Sequence, residues 1–197
     1  MSNLRQRACL AVFLLFQTLP AAAFRTVVID PGHGGKDDGA QHYGVKEKDV
    51  NLGTSKRLEQ ILKRKGYRVV MTRRTDRFVP LQERARIANR YRDAIFVSVH
   101  YNAHSNTSVK GIETFYASLE GRRLATNIQR ELIKRIRTRN RGIKVGKQYA
   151  VLNKTRMVSV LVEAGFLSNP WERRRCNGAW YQQIVAEQIA KGIVNHR

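Results

Sequence analysis

Three short runs of β-branched and apolar residues constrain this chain more than any other feature. Val27-Val28-Ile29 leads into Asp30-Pro31-Gly32-His33-Gly34-Gly35, Ala94-Ile95-Phe96-Val97-Ser98-Val99 ends in His100, and Val160-Leu161-Val162 ends in Glu163. Unbroken apolar runs of this length, closed by turn residues or a polar group, read as strands buried on both faces. Strands of that kind belong to parallel sheets covered by helices. Each run delivers a titratable side chain at its C-terminal end, the edge where open α/β sheets build ligand sites.

The intervening segments carry helical periodicity. Residues 49–65 place Leu52, Ser55, Leu58 and Leu62 on one face, with Gly66 as the stop. Residues 81–91 follow Pro80, and residues 122–137 carry the stripe Leu124, Ile128, Leu132 and Ile136. Residues 178–194 place Trp180, Ile184, Val185, Ile189 and Ile193 inward. Further strands are expected at 25–29, 67–71, 94–99, 111–116 and 157–163. Alternating β and α elements predict an α/β fold with a largely parallel sheet. At 197 residues, with no linker or repeat, one domain with a full core is expected.

Residues 1–23 read as a separate object. Arg5 and Arg7 precede an apolar run over 8–16, and Pro20 precedes Ala21-Ala22-Ala23. This is the pattern of an export signal cleaved after Ala23. The apolar run is too short for a stable transmembrane anchor. The expected mature chain, 24–197, is therefore a single catalytic domain exported to the periplasm or the extracellular cell wall. Cys9 would leave with the signal, and Cys176 alone cannot form an internal disulfide.

The net charge is +22, from 37 Lys and Arg against 15 Asp and Glu. Such an excess points to an anionic partner. Nucleic acid is not expected: no binding module is recognisable, and charge alone does not explain buried strands that end in ligand-type residues. For an exported protein the nearest polyanions are peptidoglycan carboxylates, wall polymers and lipid headgroups, and charge is expected to stand in for a dedicated wall-binding module. The run from Arg173 to Arg175 reads as a solvated surface. Trp171 reads as a helix-entry residue or, less simply, as a platform for a sugar ring.

His33, Glu47 and His100 form a candidate metal set. Hydrolytic zinc commonly takes three protein ligands and leaves a fourth position open. Zinc in such a site lowers the pKa of bound water to ~7. Glu163, at the end of its own apolar run, is the candidate general base. Spacing alone leaves alternatives open. No HExxH fixes the register, and Glu47, between Lys46 and Lys48, also reads as a salt-bridged turn. Gly32, Gly34 and Gly35 lack a P-loop ending and read as the tight turn that aims His33.

Four stretches in order, DPGHGGKDDGA, KEKDVNL, FVSVHYNA and VLVEAGFLSN, resemble the zinc-dependent N-acetylmuramoyl-L-alanine amidases of the Amidase_3 family. TRRTD, LQERARIAN, GIETFY and RGIKVGKQYAVL lie between them and extend the resemblance over about 25–193. The resemblance implies a three-layer α/β/α sandwich around a mixed, mostly parallel sheet of about six strands. It implies Zn2+ held by His33, Glu47 and His100, with Glu163 as the catalytic glutamate. The implied partner is peptidoglycan, cleaved between N-acetylmuramic acid and the L-alanine of its stem peptide. Val158 departs from a proline common in the family. Some family members insert a regulatory helix after the GIETFY segment. Here the chain passes almost directly to the next helix, which implies an open site needing no activator; no regulatory protein is identifiable. Three other readings remain: a catalytically silent wall-binding protein on the same fold, a zinc peptidase cutting within the stem peptide, and an exported nucleic-acid binder.

Overall fold

A computed structural model describes residues 24–196; the export signal expected over 1–23 lies outside them. Six strands form the main sheet: β1 (Thr26–Pro31), β4 (Arg68–Met71), β5 (Ala94–Asn102), β6 (Ile112–Tyr116), β7 (Asn140–Val145) and β8 (Val158–Phe166). A small antiparallel hairpin supplies β2 (Gln41–His42) and β3 (Val45–Lys46). The sheet order is β4-β1-β5-β8-β6-β7. The β4, β1, β5 and β8 strands run parallel; β6 is antiparallel to β8 and parallel to β7. The sheet is thus mixed and mostly parallel.

Alternate residues of the central strands face opposite cores, as strand geometry requires. Val27, Ile29, Val97, Val99, Val160 and Val162 face a large core with helices α1 (Glu47–Arg64), α3 (Leu119–Arg135) and α6 (Ala179–Val194). Val28, Phe96 and Leu161 face a smaller one with α2 (Leu81–Ala88) and α4 (Ala150–Asn153). Two helical layers enclose the sheet, which gives the expected α/β/α sandwich. The short helix α5 (Pro170–Cys176) packs near the end of β8.

Several expectations are corrected. Trp180 is not in the core: it is 68% exposed in the first turn of α6, and Tyr181 is the buried aromatic beside it. The α3 helix begins earlier than expected, because Ser118 Oγ accepts from Gly121 N and caps it there. Glu47 is the first residue of α1 rather than part of a preceding loop. The β8 strand runs three residues past Glu163, so Glu163 projects from within the strand. Among the described residues no helix is long and apolar enough to cross a membrane.

Candidate metal centre

The loop after β1 brings in the first donor. His33 itself adopts a left-handed backbone, φ 58°, followed by Gly34 at 129° and Gly35 at 60°. A non-glycine residue there is uncommon and needs its surroundings to hold it. Two buried guanidinium groups do so. Arg84 Nη2 donates to the His33 carbonyl at 2.7 Å, and Arg73 Nη2 donates to the Gly32 carbonyl at 2.8 Å and the Lys48 carbonyl at 2.8 Å. Arg73 thereby ties the loop to the first turn of α1, which carries Glu47. Gly32 serves a different need from the turn expected of it. A Cβ on it would lie 2.2 Å from His100 Cε1, so its backbone lies against the His100 ring.

The three donors converge. His33 Nε2 lies 3.0 Å from Glu47 Oε2, and His100 Nδ1 lies 2.8 Å from Glu47 Oε1. One ligand atom from each residue falls within 4.8 Å of the others. His33 Nδ1 donates to Asp37 Oδ2 at 2.9 Å. That bond fixes the tautomer and turns Nε2 toward Glu47, the usual outer support of a metal-binding histidine. Glu47 also accepts from Ala40 N, Asn51 Nδ2 and Tyr101 N. Burial pushes the Glu47 carboxyl up, but the hydrogen bonds and charges of His100 and His33 outweigh it and hold Glu47 well below the usual carboxylate range. Burial disfavours charge on His33, yet Glu47 and Asp37 raise it above its ordinary value. Two imidazoles and a carboxylate within this spacing are a donor set for Zn2+.

Glu163 faces the same space. It sits in register with His100 on β5 and with Glu113 on β6. Burial drives its pKa well above the usual carboxylate value, and the charges of Glu47 and Glu113 add to the shift. Its Oε2 has no hydrogen-bond partner among the described residues. Glu113, by contrast, is satisfied by Asn102 Nδ2, Arg141 Nε and Lys144 Nζ. A buried polar atom without a partner is rare and calls for an explanation. One cavity of about 820 Å³ is lined by His33, Glu47, His100 and Glu163, with Tyr149 and Phe78 in its walls. Burial first, then Glu163 and Glu113, push the Tyr149 phenol up to about 12.

All four site residues expected from the sequence therefore meet in one place. His42, in β2, and His104, whose Nδ1 accepts from Asn106 N, do not join the donor set. Sequence reasoning gave no role to Arg73, Arg84, Asp37 or Tyr149. The signal for Arg84 was present: it lies four residues before Ala88 on the apolar face of α2, where an unpaired charge is not tolerated.

Fold and donor set together describe an open α/β protein whose sheet edge carries a group able to hold a metal ion. Comparison with known proteins sharpens that class. The model of the Amidase_3 family, N-acetylmuramoyl-L-alanine amidase, matches residues 27–195. This chain belongs to that family. It is 40% identical over 173 residues to YqiI of Bacillus subtilis, covering 86% of this chain and 83% of that one. It is 38% identical over 175 residues to the N-acetylmuramoyl-L-alanine amidase LytC of the same species, covering 87% of this chain but only 35% of LytC. The amidase AmiC2 of Nostoc punctiforme superposes with a TM-score of 0.83 at 40% identity, covering 88% of this chain and 97% of that structure.

Proposed function

We propose that this chain is an exported peptidoglycan amidase. It hydrolyses the amide that joins the lactyl group of N-acetylmuramic acid to the L-alanine of the stem peptide. The carrying observation is the convergence of His33, Glu47 and His100 within 4.8 Å beside the unpartnered carboxylate oxygen of Glu163. Family membership supports the bond and the substrate, and LytC lends its printed activity to the reading. Export rests on the signal pattern of residues 1–23.

His33, Glu47 and His100 would hold zinc as two neutral donors and one anion. When bound, zinc supplies Lewis acidity toward a carbonyl oxygen and toward water. Asp37 keeps the His33 proton on Nδ1, so Nε2 stays available as a ligand. Glu163 Oε2 takes the proton from the attacking water. Its raised pKa lets it keep that proton and then pass it to the departing nitrogen of L-alanine. An amide nitrogen leaves poorly unless protonated, so one carboxylate acting twice completes the proton balance. Tyr149 stays protonated at working pH and offers the cavity a hydroxyl donor. Only Ala117 and Ser118 separate β6 from α3, so no helix is inserted there across the site. The enzyme should turn over without an activator.

Mass spectrometry of muropeptides digested by wild type and by Glu163→Ala tests the assignment. Free stem peptides beginning in L-alanine are expected from wild type. The variant should keep one zinc per chain and lose at least ~100-fold in turnover, the low end for a removed acid–base group. Cleavage inside the stem peptide would make the enzyme a peptidase, and an active variant would remove Glu163 from the reaction. Zinc binding without any released peptide would make it a silent wall-binding protein.

A further inference from the structure

Outside the metal cavity, the outer face of α5 and the first turn of α6 carries the least expected surface of the molecule. Trp171 is 55% and Trp180 68% exposed. Together with Arg174, Arg175, Gly178 and Tyr181 they line a cleft of about 400 Å³ that contains no acidic residue. Arg175 is fixed in it, its guanidinium carbon 4.2 Å from the Trp171 ring centre and 4.7 Å from that of Tyr181. The nearby carboxylate of Glu172 does not neutralise these arginines. It is buried and accepts from Gly111 N, Phe166 N and Thr138 Oγ1.

Folding does not account for the two indoles. Asn169 Oδ1 caps α5 by accepting from Trp171 N and Glu172 N, and Pro170 starts the helix. Neither step uses the Trp171 side chain. Exposed apolar groups rimmed by cations mark an interaction surface, and aromatics with arginine are the residues enriched in such surfaces.

A separate cation–aromatic contact ties α5 to the hairpin that precedes α1. The Arg173 guanidinium lies 4.4 Å from the ring centre of Tyr43, which is 89% exposed at the tip of the β2–β3 hairpin. That hairpin runs directly into Glu47.

We propose that this cleft is a second binding surface for the wall polymer itself. Sugar rings lie on the indole faces of Trp171 and Trp180, and stem-peptide carboxylates meet Arg174 and Arg175. The proposal rests on the amidase reading for the identity of the polymer. An indole offers a flat, electron-rich apolar face, which suits the C–H edge of a pyranose, while the guanidinium fork suits a carboxylate. A glycan strand carrying peptides presents both chemistries in alternation. A concave cleft with its cation held between rings suits a strand better than a lipid surface, which calls for a projecting apolar wedge. Holding the polymer at the cleft keeps its scissile bonds at a raised local concentration around the enzyme. A small soluble fragment gains nothing from this.

The test uses full-length mature enzyme, its Trp171→Ala/Trp180→Ala variant and its Arg174→Glu/Arg175→Glu variant. Sedimentation with purified sacculi, stripped of attached anionic polymers, is measured with the metal chelated so that no cleavage occurs. Turnover is measured separately on sacculi and on a soluble N-acetylmuramoyl-peptide. Both variants should bind sacculi about tenfold more weakly and show a raised KM for sacculi only, with turnover of the soluble fragment within twofold of wild type. The charge variant should also lose most of the salt dependence of binding. Unchanged sacculus binding in both variants overturns the proposal. So does an equal loss on polymer and fragment, or a loss confined to binding of phosphatidylglycerol vesicles. Because binding is read under chelation, a wild type without turnover would sink the amidase reading and still leave the binding comparison to decide this surface.

Discussion

Replacing Glu163 by Gln should change how stability depends on pH in a direction set by the structure. Glu163 is 7% exposed, and its Oε2 has no partner among the described residues. Its folded pKa lies well above the ordinary glutamate value, chiefly through burial and then through Glu47 and Glu113. A carboxyl with a raised folded pKa binds its proton more tightly in the native state. Native wild type therefore loses stability as pH rises from about 4.5 to the folded pKa, with a ceiling of about 1.4 kcal/mol per pH unit. From pH 5 to 7.5 the ceiling is about 3 kcal/mol. For a domain of this size that is roughly 6–12 °C in Tm. The glutamine variant lacks this slope, whereas groups remote from the Glu163–Glu47 cluster titrate alike in both proteins and cancel in the comparison. Thermal unfolding of both metal-free proteins across pH 5–7.5 is the assay. The variant should gain on wild type as pH rises from 5 toward the raised Glu163 pKa. Parallel curves, or a variant that falls behind, would refute the claim that burial raises the Glu163 pKa in the metal-free protein.

The remaining predictions concern what holds the donors. Arg84→Met removes the partner of buried Asp30, at 2.9 Å, and a donor to the carbonyls of Pro31, His33 and Val79. Breaking such a pair costs about 3–5 kcal/mol, and urea unfolding should show it. Although burial opposes it, Arg84 with Thr72 and Ser98 holds Asp30 below 3.8, so its contribution should persist down to about that pH and fade as pH falls further. Gly32→Ala drives a methyl into the His100 ring, and zinc affinity by competitive chelator titration should drop at least ~10-fold, the scale of lost support around a ligand. Chelating the metal should lower Tm reversibly, by about 2.7 kcal/mol in stability for zinc at 100 times its Kd. A Tm unmoved by chelation and by added zinc would contradict the metal assignment.

The parts of this molecule legible in the sequence share one property. Buried parallel strands leave unbroken apolar runs, so β1, β5 and β8 and the groups they carry could be read directly. The β7 strand could not. Asn-Arg-Gly-Ile-Lys-Val is an edge strand whose residues are all partly or fully exposed, and charge at an edge guards against unwanted pairing while erasing the strand pattern. Trp180 was misplaced inward because it lies four residues before Ile184. Helical spacing records a shared face, not where the core stops, and the first turn of α6 runs past its edge. Arg73 and Arg84 were legible only in part. The place of Arg84 on the apolar face of α2 shows that it needs a partner, but neither that partner, Asp30, nor the backbone carbonyls of Pro31, Gly32, His33 and Lys48 that the two arginines bind are encoded in a local pattern.

Those two arginines also determine what the metal does for this fold. In small metal-nucleated domains the ligands are unplaced until the ion binds, and metal binding is folding. Here each donor has its own support. The backbone of His33 is held by Arg84 and its ring by Asp37, Glu47 is held by Asn51 and two backbone amides, and His100 lies within β5 against Gly32. Only the mass-action term, about 2.7 kcal/mol at 100 times Kd, then depends on the ion. The Asp30–Arg84 pair, at about 3–5 kcal/mol, outweighs it. The metal-free protein should accordingly stay folded with its donors in place, while an Arg84 variant supplied with zinc should be the less stable of the two. That ordering separates a preorganised site from one assembled by its metal.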